Sequence, residues 1–344
     1  MARQPTTWAV AATISFACAL PIPSTVAAAD SAVVLMYHRV ADGGSDSTRI
    51  PLDLFAQHIG ELTSGAYAVL PIPEIVDALR HGRDLPDRTV GISFDDAYAS
   101  VHAAAWPRLK AAGLPFTVFV GTGRVDRGAP DSMSWAEVRA LAEDGVTIGN
   151  RTDASPHLAS LPPAQAKSEI VRANTKLTDR LGMAPTLFAY PYGEYNLAIR
   201  DVVAAAGFAA AFGQQSGVAH GGSDPYAMPR FVLNARYGDM SRLRRVAGAL
   251  PLPVEDVSPL DPVVGEHNPP NFGFSVLPGI GGLSALACYA SGQGAVQVER
   301  LGDHRFEVRL AAPFPPGRSR INCTLPAGNG RWRWYGRQFL VLRP

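Results

Sequence analysis

The chain has 344 residues, of which 47% are hydrophobic and 18% charged, which is enough for a packed core and unlike a disordered or fibrous polymer. Thirty-one basic against 30 acidic side chains leave a net charge of +1, so no bulk field draws the protein to nucleic acid or to an anionic membrane surface. The length suits two domains, and 33 glycines with 29 prolines imply loop-rich connections.

Residues 1–29 carry one charge, Arg3, followed by an uncharged run from Trp8 to Leu20, then Pro21, Pro23 and Ala27-Ala28-Ala29. This pattern predicts a secretory signal peptide. As a helix the run reaches about 20 Å, short of the roughly 30 Å hydrocarbon layer. The expectation is an exported protein, periplasmic or extracellular, with no transmembrane anchor after signal cleavage. Cys18 lies inside this segment, which leaves Cys288 and Cys323 as a predicted disulfide of an oxidising compartment.

From Ser31 to about Arg245, short apolar runs alternate with helical patterns, the signature of parallel strands joined by crossover helices. The strands are expected at Ala32 to Tyr37, Thr89 to Phe94, Phe116 to Val120, Val146 to Gly149, Leu187 to Tyr190 and Ala209 to Phe212. Helical spacing joins Phe55, Ile59 and Leu62, and again Ala166, Ile170, Leu177 and Leu181 behind Pro162-Pro163. Residues 30–250 therefore read as an α/β sheet or barrel. Six prolines between Pro251 and Pro270 mark residues 251–271 as a linker. Residues 272–344 alternate as short strands at Val296 to Glu299, Phe306 to Leu310 and Trp332 to Leu342, which predicts a small all-β sandwich closed by Cys288–Cys323. In Arg331-Trp332-Arg333-Trp334 the tryptophans share one strand face, either as core or as a platform for sugar rings.

Reactive groups in such an α/β fold sit on loops leaving the carboxyl ends of strands. The strand Gly91 to Phe94 ends in Asp95-Asp96, and two buried carboxylates require a metal, an arginine or a shared proton. Alone, such a pair reads first as the N-cap of a helix over Ala97 to Leu109. A second such loop follows Gly149, and a third is Tyr190-Pro191-Tyr192-Gly193, whose aromatics suit a sugar-sized groove or a packed turn.

Together these loops resemble the polysaccharide deacetylase family, the NodB-homology carbohydrate esterases, and within it the exported branch acting on N-acetylglucosamine polymers. The resemblance covers about residues 31 to 245. It is carried by Met36-Tyr37-His38-Arg39-Val40, Ser93-Phe94-Asp95-Asp96-Ala97-Tyr98, Ile148 to Leu161, Phe188 to Gly193, and Met228-Pro229-Arg230-Phe231. It implies a distorted (β/α) barrel that hydrolyses the C–N bond of N-acetyl groups on polysaccharides. It further implies Asp95 as general base on a water, Asp96 as ligand of a divalent metal such as zinc with two histidines four residues apart, and the Tyr192 backbone amide as oxyanion donor. Tyr190, Pro191 and Arg230 would line the groove.

The histidines depart from the family pattern. Gly149, Thr152, Pro156 and Leu158 fix the register, and Arg151 and Ser155 stand at the two ligand positions. Arginine has no lone pair to offer and a serine hydroxyl is a weak neutral ligand, so the usual zinc site is not expected. Three readings follow. In the first, Arg151 ties down both aspartates in a silent, polysaccharide-binding protein; in the second, Asp96, Asp153 and His157 form a displaced metal site; in the third, Asp95 acts as base with Arg151 as electrophile and no metal. His38 reads as a hydrogen-bonded core histidine or a catalytic one, His220 as a mobile loop histidine or a general acid reaching the groove, and His102 as solvent-facing or packed on its helix. The family's late acid histidine has no counterpart after Arg230.

Overall fold

The computed structural model describes residues 1–2 and 28–342; the expected signal segment lies mostly outside them. Six strands form the barrel wall: β1 (Ser31–Tyr37), β2 (Thr89–Asp95), β3 (Thr117–Val120), β4 (Thr147–Asn150), β5 (Leu187–Ala189) and β6 (Ala210–Phe212). They lie parallel in the order β6-β5-β4-β3-β2-β1. The short β7 (Ala219–His220) joins β1 antiparallel and β8 (Phe231–Val232) joins it parallel. A bridge between Phe212 and Met228, just ahead of β8, curls the far edge back toward β1. The result is the expected distorted (β/α) barrel.

β1 and β2 are buried along their whole length, as strands covered on both faces must be. Alternate residues serve opposite faces. Val33, Leu35 and Tyr37 pack with Phe55 of α1 (Leu52–Leu62), Leu109 of α3 (Trp106–Ala111) and Val138 of α5 (Trp135–Glu143). Ala32 and Val34 instead meet Ile75 and Leu79 of α2 (Ile72–Arg80), Phe119 and Phe212. Gly91 must be glycine here, because a Cβ would lie 2.8 Å from Ile72 of α2. The remaining barrel helices are α4 (Thr122–Asp126), α6 (Pro163–Leu181), α7 (Leu197–Ala205) and α8 (Met240–Ala247). The helix expected from Ala97 starts only at Val101, as a π turn running into α3, so neither Asp95 nor Asp96 caps it.

Residues 251–271 are not a free tether. β9 (Leu250–Pro251) and β10 (Val254–Ser258) already belong to the second sheet, and Leu252 and Val264 are buried in its core. The prolines sit at strand ends and edges, where a missing N–H costs no ladder bond. The sheet continues through β11 (Phe272–Val276), β12 (Ala287–Ala290), β13 (Gly294–Leu301), β14 (Arg305–Arg309), β15 (Gly317–Ala327) and β16 (Arg331–Val341). It is a single eight-stranded sheet, ordered β9-β16-β15-β12-β13-β14-β11-β10. β13 pairs first with β12 and then with β14, so the sheet curls and its halves face each other. Phe272 of β11 thus meets Phe339 of β16 at 5.4 Å. Cys288 and Cys323 form a disulfide directly opposite each other on neighbouring β12 and β15; it staples adjacent strands rather than the two halves.

The outer face of β16 lies on the barrel. Trp334 stands edge-on to Phe231 at 5.1 Å and packs against the barrel core, so it fills a domain interface, neither the sandwich core nor a sugar platform. Arg331 grips Asp87 with both carboxylate oxygens at 2.9 and 3.0 Å.

Candidate functional site

Parallel strands bring their carboxyl ends to one mouth, and each delivers a polar group there. Asp95 ends β2, Arg151 follows β4, Tyr190 follows β5, Gln214 lies just past β6 and Arg230 just ahead of β8. Among the described residues seven non-glycine positions have left-handed backbone, and four of them are here: Asp96, Thr152, Ser155 and Tyr192, with φ between 53° and 62°. Each costs about 1–3 kcal/mol and persists only where neighbours fix it. Asn150 supplies one such support: its Oδ1 accepts the Thr152 amide at 2.6 Å while its Nδ2 donates to α6, to the Ile170 carbonyl and Asn174.

Asp95 is wholly buried and held by two guanidinium groups. Arg230 donates to its two oxygens at 2.6 and 2.9 Å, and Arg151 donates at 2.8 Å. Arg151 also donates through Nε to Asp96 at 2.9 Å and through Nη1, the nitrogen that meets Asp95, to the Tyr190 carbonyl at 3.1 Å. Arg230 is fixed from behind by the Gly213 carbonyl at 3.0 Å and by the rings of Phe119 and Phe212. Two carboxylates and two guanidiniums balance, which removes the penalty of an unpaired buried ion. Burial pushes the Asp95 carboxyl up, but Arg151 and Arg230 outweigh it and hold it well below the usual carboxylate range. Desolvation works against the charge on Arg151, yet Asp95 and Asp96 raise it overall. A carboxylate held so low is a weak proton acceptor at neutral pH. His38, on the cleft wall, is lowered by burial against the opposing pull of Asp95 and Asp96 and is therefore neutral at pH 7.

This donor set does not fit a metal. The Arg151 guanidinium occupies oxygens of both aspartates, and no cluster of three or more His, Cys, Asp or Glu side chains suited to an ion occurs among the described residues. Nor does the displaced set come together. Asp153 is held by Thr122 at 2.6 Å, Lys176 at 2.7 Å and Arg172 at 3.2 Å. His157 turns to Glu194 at 2.6 Å and stacks on Tyr192 with ring centroids 4.4 Å apart. The Ser155 hydroxyl is buried without a hydrogen-bond partner.

Tyr190, Pro191 and Arg230, expected along the groove, are all buried, because their loops fold back to complete the core. The Tyr190 hydroxyl donates to the Tyr226 carbonyl at 3.0 Å. The walls of a cleft of about 1020 Å³ are formed instead by His38, Asp96, His157, Tyr192, Glu194 and, from the β-domain, Arg318. Arg318 donates to the Tyr192 carbonyl at 2.9 Å and to Gln214 at 3.2 Å, and Gln338 donates to the Gly193 carbonyl at 2.9 Å. The roles of Gln214, Glu194, Arg318 and Gln338 escaped the sequence reading; the only local signal was the polar Gln214-Gln215 pair directly after an apolar strand. His102 packs against Trp106 with the rings tilted, and His220 accepts the Gly222 amide in its own turn, outside the cleft lining.

Residues 82–211 match the family model described as polysaccharide deacetylase. A poly-beta-1,6-N-acetyl-D-glucosamine N-deacetylase of Staphylococcus aureus is 25% identical over 231 residues, covering 60% of this chain and 79% of the relative. The Escherichia coli protein of the same name is 23% identical over 58% of this chain, and the match spans 36% of its length. The structure of IcaB from Ammonifex degensii superposes with a TM-score of 0.58 and 28% identity over 64% of this chain and 98% of IcaB. No described helix is long and apolar enough to cross a membrane.

Proposed function

The chain belongs to the polysaccharide deacetylase family, and from that premise we propose that it is an exported member that binds N-acetylated polysaccharide and does not run the metal-dependent hydrolysis. The observation that carries this reading is the Arg151 guanidinium lying between Asp95 and Asp96. A metal would polarise the acetamide carbonyl and lower the pKa of a bound water. A guanidinium balances the same negative charge but cannot ligate or activate water. Asp95 is also a poor base for a metal-free route, since three N–H groups of Arg151 and Arg230 hold it ionised. What remains is a groove with an aromatic wall, the exposed His157 stacked on Tyr192, of the kind on which sugar rings lie.

The test combines metal content with binding. The protein is incubated with zinc, nickel or cobalt, dialysed, and assayed for bound metal, for acetate release from poly-N-acetylglucosamine, and for retention of that polymer. Retention without stoichiometric metal or acetate release is expected. One equivalent of metal, lost on Asp96→Ala or His157→Ala and accompanied by acetate release, overturns the reading.

A further inference from the structure

We propose that the cleft between the barrel and the β-domain takes an N-acetylated glycan that also carries acidic groups, with guanidiniums on both walls receiving its carboxylates. The glycan half of this rests on the reading above; the acidic half rests on charges of its own. Arg318 and Arg320 stand two residues apart on β15 and so share a face, while Ser319 between them is turned away and buried. Both arginines line the cleft, and Arg124 and Arg127, at the end of α4, line it from the barrel side.

These cations exceed the anions available to them. Arg127 and Arg320 join none of the ion pairs found among the described residues, whereas Arg124 shares the single carboxylate of Asp131 with Arg39, at 2.5 and 2.7 Å. Arg318 reaches Glu194 only at 3.5 Å, through one oxygen, while His157 holds the other oxygen of that carboxylate at 2.6 Å. The nearest polar partner of the Arg320 side chain is Gln338 at 3.5 Å. Burial and the charge on Arg318 push Arg320 down to about 10, so it stays protonated at neutral pH in surroundings that disfavour its charge. An incoming carboxylate relieves that cost and matches the guanidinium fork with two parallel hydrogen bonds. A neutral polymer leaves Arg127 and Arg320 without an anion, and a polymer bearing free amines is repelled.

The experiment titrates the full chain calorimetrically with two probes, an oligosaccharide of alternating glucuronate and N-acetylglucosamine and a neutral N-acetylglucosamine oligomer. At about 50 mM salt, where screening is weak, the acidic probe should bind at least roughly tenfold more tightly, and this preference should collapse at about 300 mM. Arg127→Gln and Arg320→Gln should each weaken the acidic probe by roughly fivefold and leave the neutral one unchanged, while Arg127→Lys, which keeps the charge but loses the fork, should recover only part of that affinity. Arg127 is exposed, so its variants report even where Arg320→Gln disturbs folding. Equal affinity for the two probes, insensitive to these substitutions, overturns the acidic assignment and leaves glycan binding standing. Binding of neither probe overturns both.

Discussion

At the scale of single residues, the chemistry turns on which cation answers Asp95 and Asp96. Removing one member of a buried, hydrogen-bonded charge group leaves the other uncompensated, so Arg151→Met should destabilise the fold by about 3 kcal/mol at neutral pH. The folded pKa of Asp95 lies below its unfolded value of about 3.9. Its stabilisation is therefore complete above the unfolded value and is lost as pH falls through the folded one. The gap between wild type and Arg151→Met, read from urea midpoints, should be largest near pH 7 and shrink below about pH 4. A gap that stays constant as pH falls on through the folded value would mean that packing, and not charge, sets the effect. The complementary change, Arg151→His with Ser155→His, places two imidazoles beside the Asp96 that Arg151 now engages. Three N/O donors satisfy the protein's share of a zinc site, so the double variant should bind about one equivalent of zinc where wild type binds none. Much of this was legible beforehand: Asp95-Asp96 at the end of an apolar strand demands compensation, and an arginine in a strand-end loop supplies it. The second arginine was misread, because nothing local tells that Arg230 points under Asp95 instead of along the groove.

At the scale of elements, the loop after β5 shows how the backbone holds the site. Tyr192 and Gly193 both have left-handed backbone, with φ of 60° and 71°, and the loop is pinned from the β-domain by Arg318 and Gln338. A Cβ on Gly193 would lie 2.6 Å from the Gln214 backbone nitrogen and side chain. Gly193→Ala therefore suffers both backbone strain and a clash, together about 3 kcal/mol. Gly207 separates the two terms, since it has φ of 85° but nothing within 4 Å of its would-be Cβ; Gly207→Ala should cost only about 1 kcal/mol. Thermal unfolding of the two variants checks this, and equal losses would remove the steric part of the account. The barrel strands were legible to within a residue or two because their period and flanking glycines and prolines are local. The long β15 was not, since it opens on glycine and two arginines and carries Pro326 near its end. The prolines of residues 251–271 suggested a linker for the same reason: proline density marks the absence of a ladder donor, which an edge strand tolerates as readily as a loop.

For the whole molecule, the decisive feature is that the β-domain lies along the barrel, from Asp87 ahead of β2 to the Tyr192 loop at the mouth, instead of trailing from it. Gly336 on β16 lies so close to the Ser216 carbonyl that a Cβ would stand 2.0 Å from that oxygen; together with Trp334 on Phe231 and Arg331 on Asp87, it makes the interface a tight fit. Two domains locked in this way should unfold in a single calorimetric transition. The disulfide tests that coupling from the far side. Linking residues 35 apart removes about 4 kcal/mol of loop entropy from the unfolded chain, so replacing both cysteines by alanine should lower the one shared transition, barrel included. Gly336→Val should do something different: with no room for the added methyls against a backbone oxygen, the two faces separate and the transition splits in two. If the cysteine variant melted only the β-domain while the barrel held its midpoint, the domains would be independent. Arg318 and Gln338 would then hold the Tyr192 loop only as long as the smaller domain stayed folded.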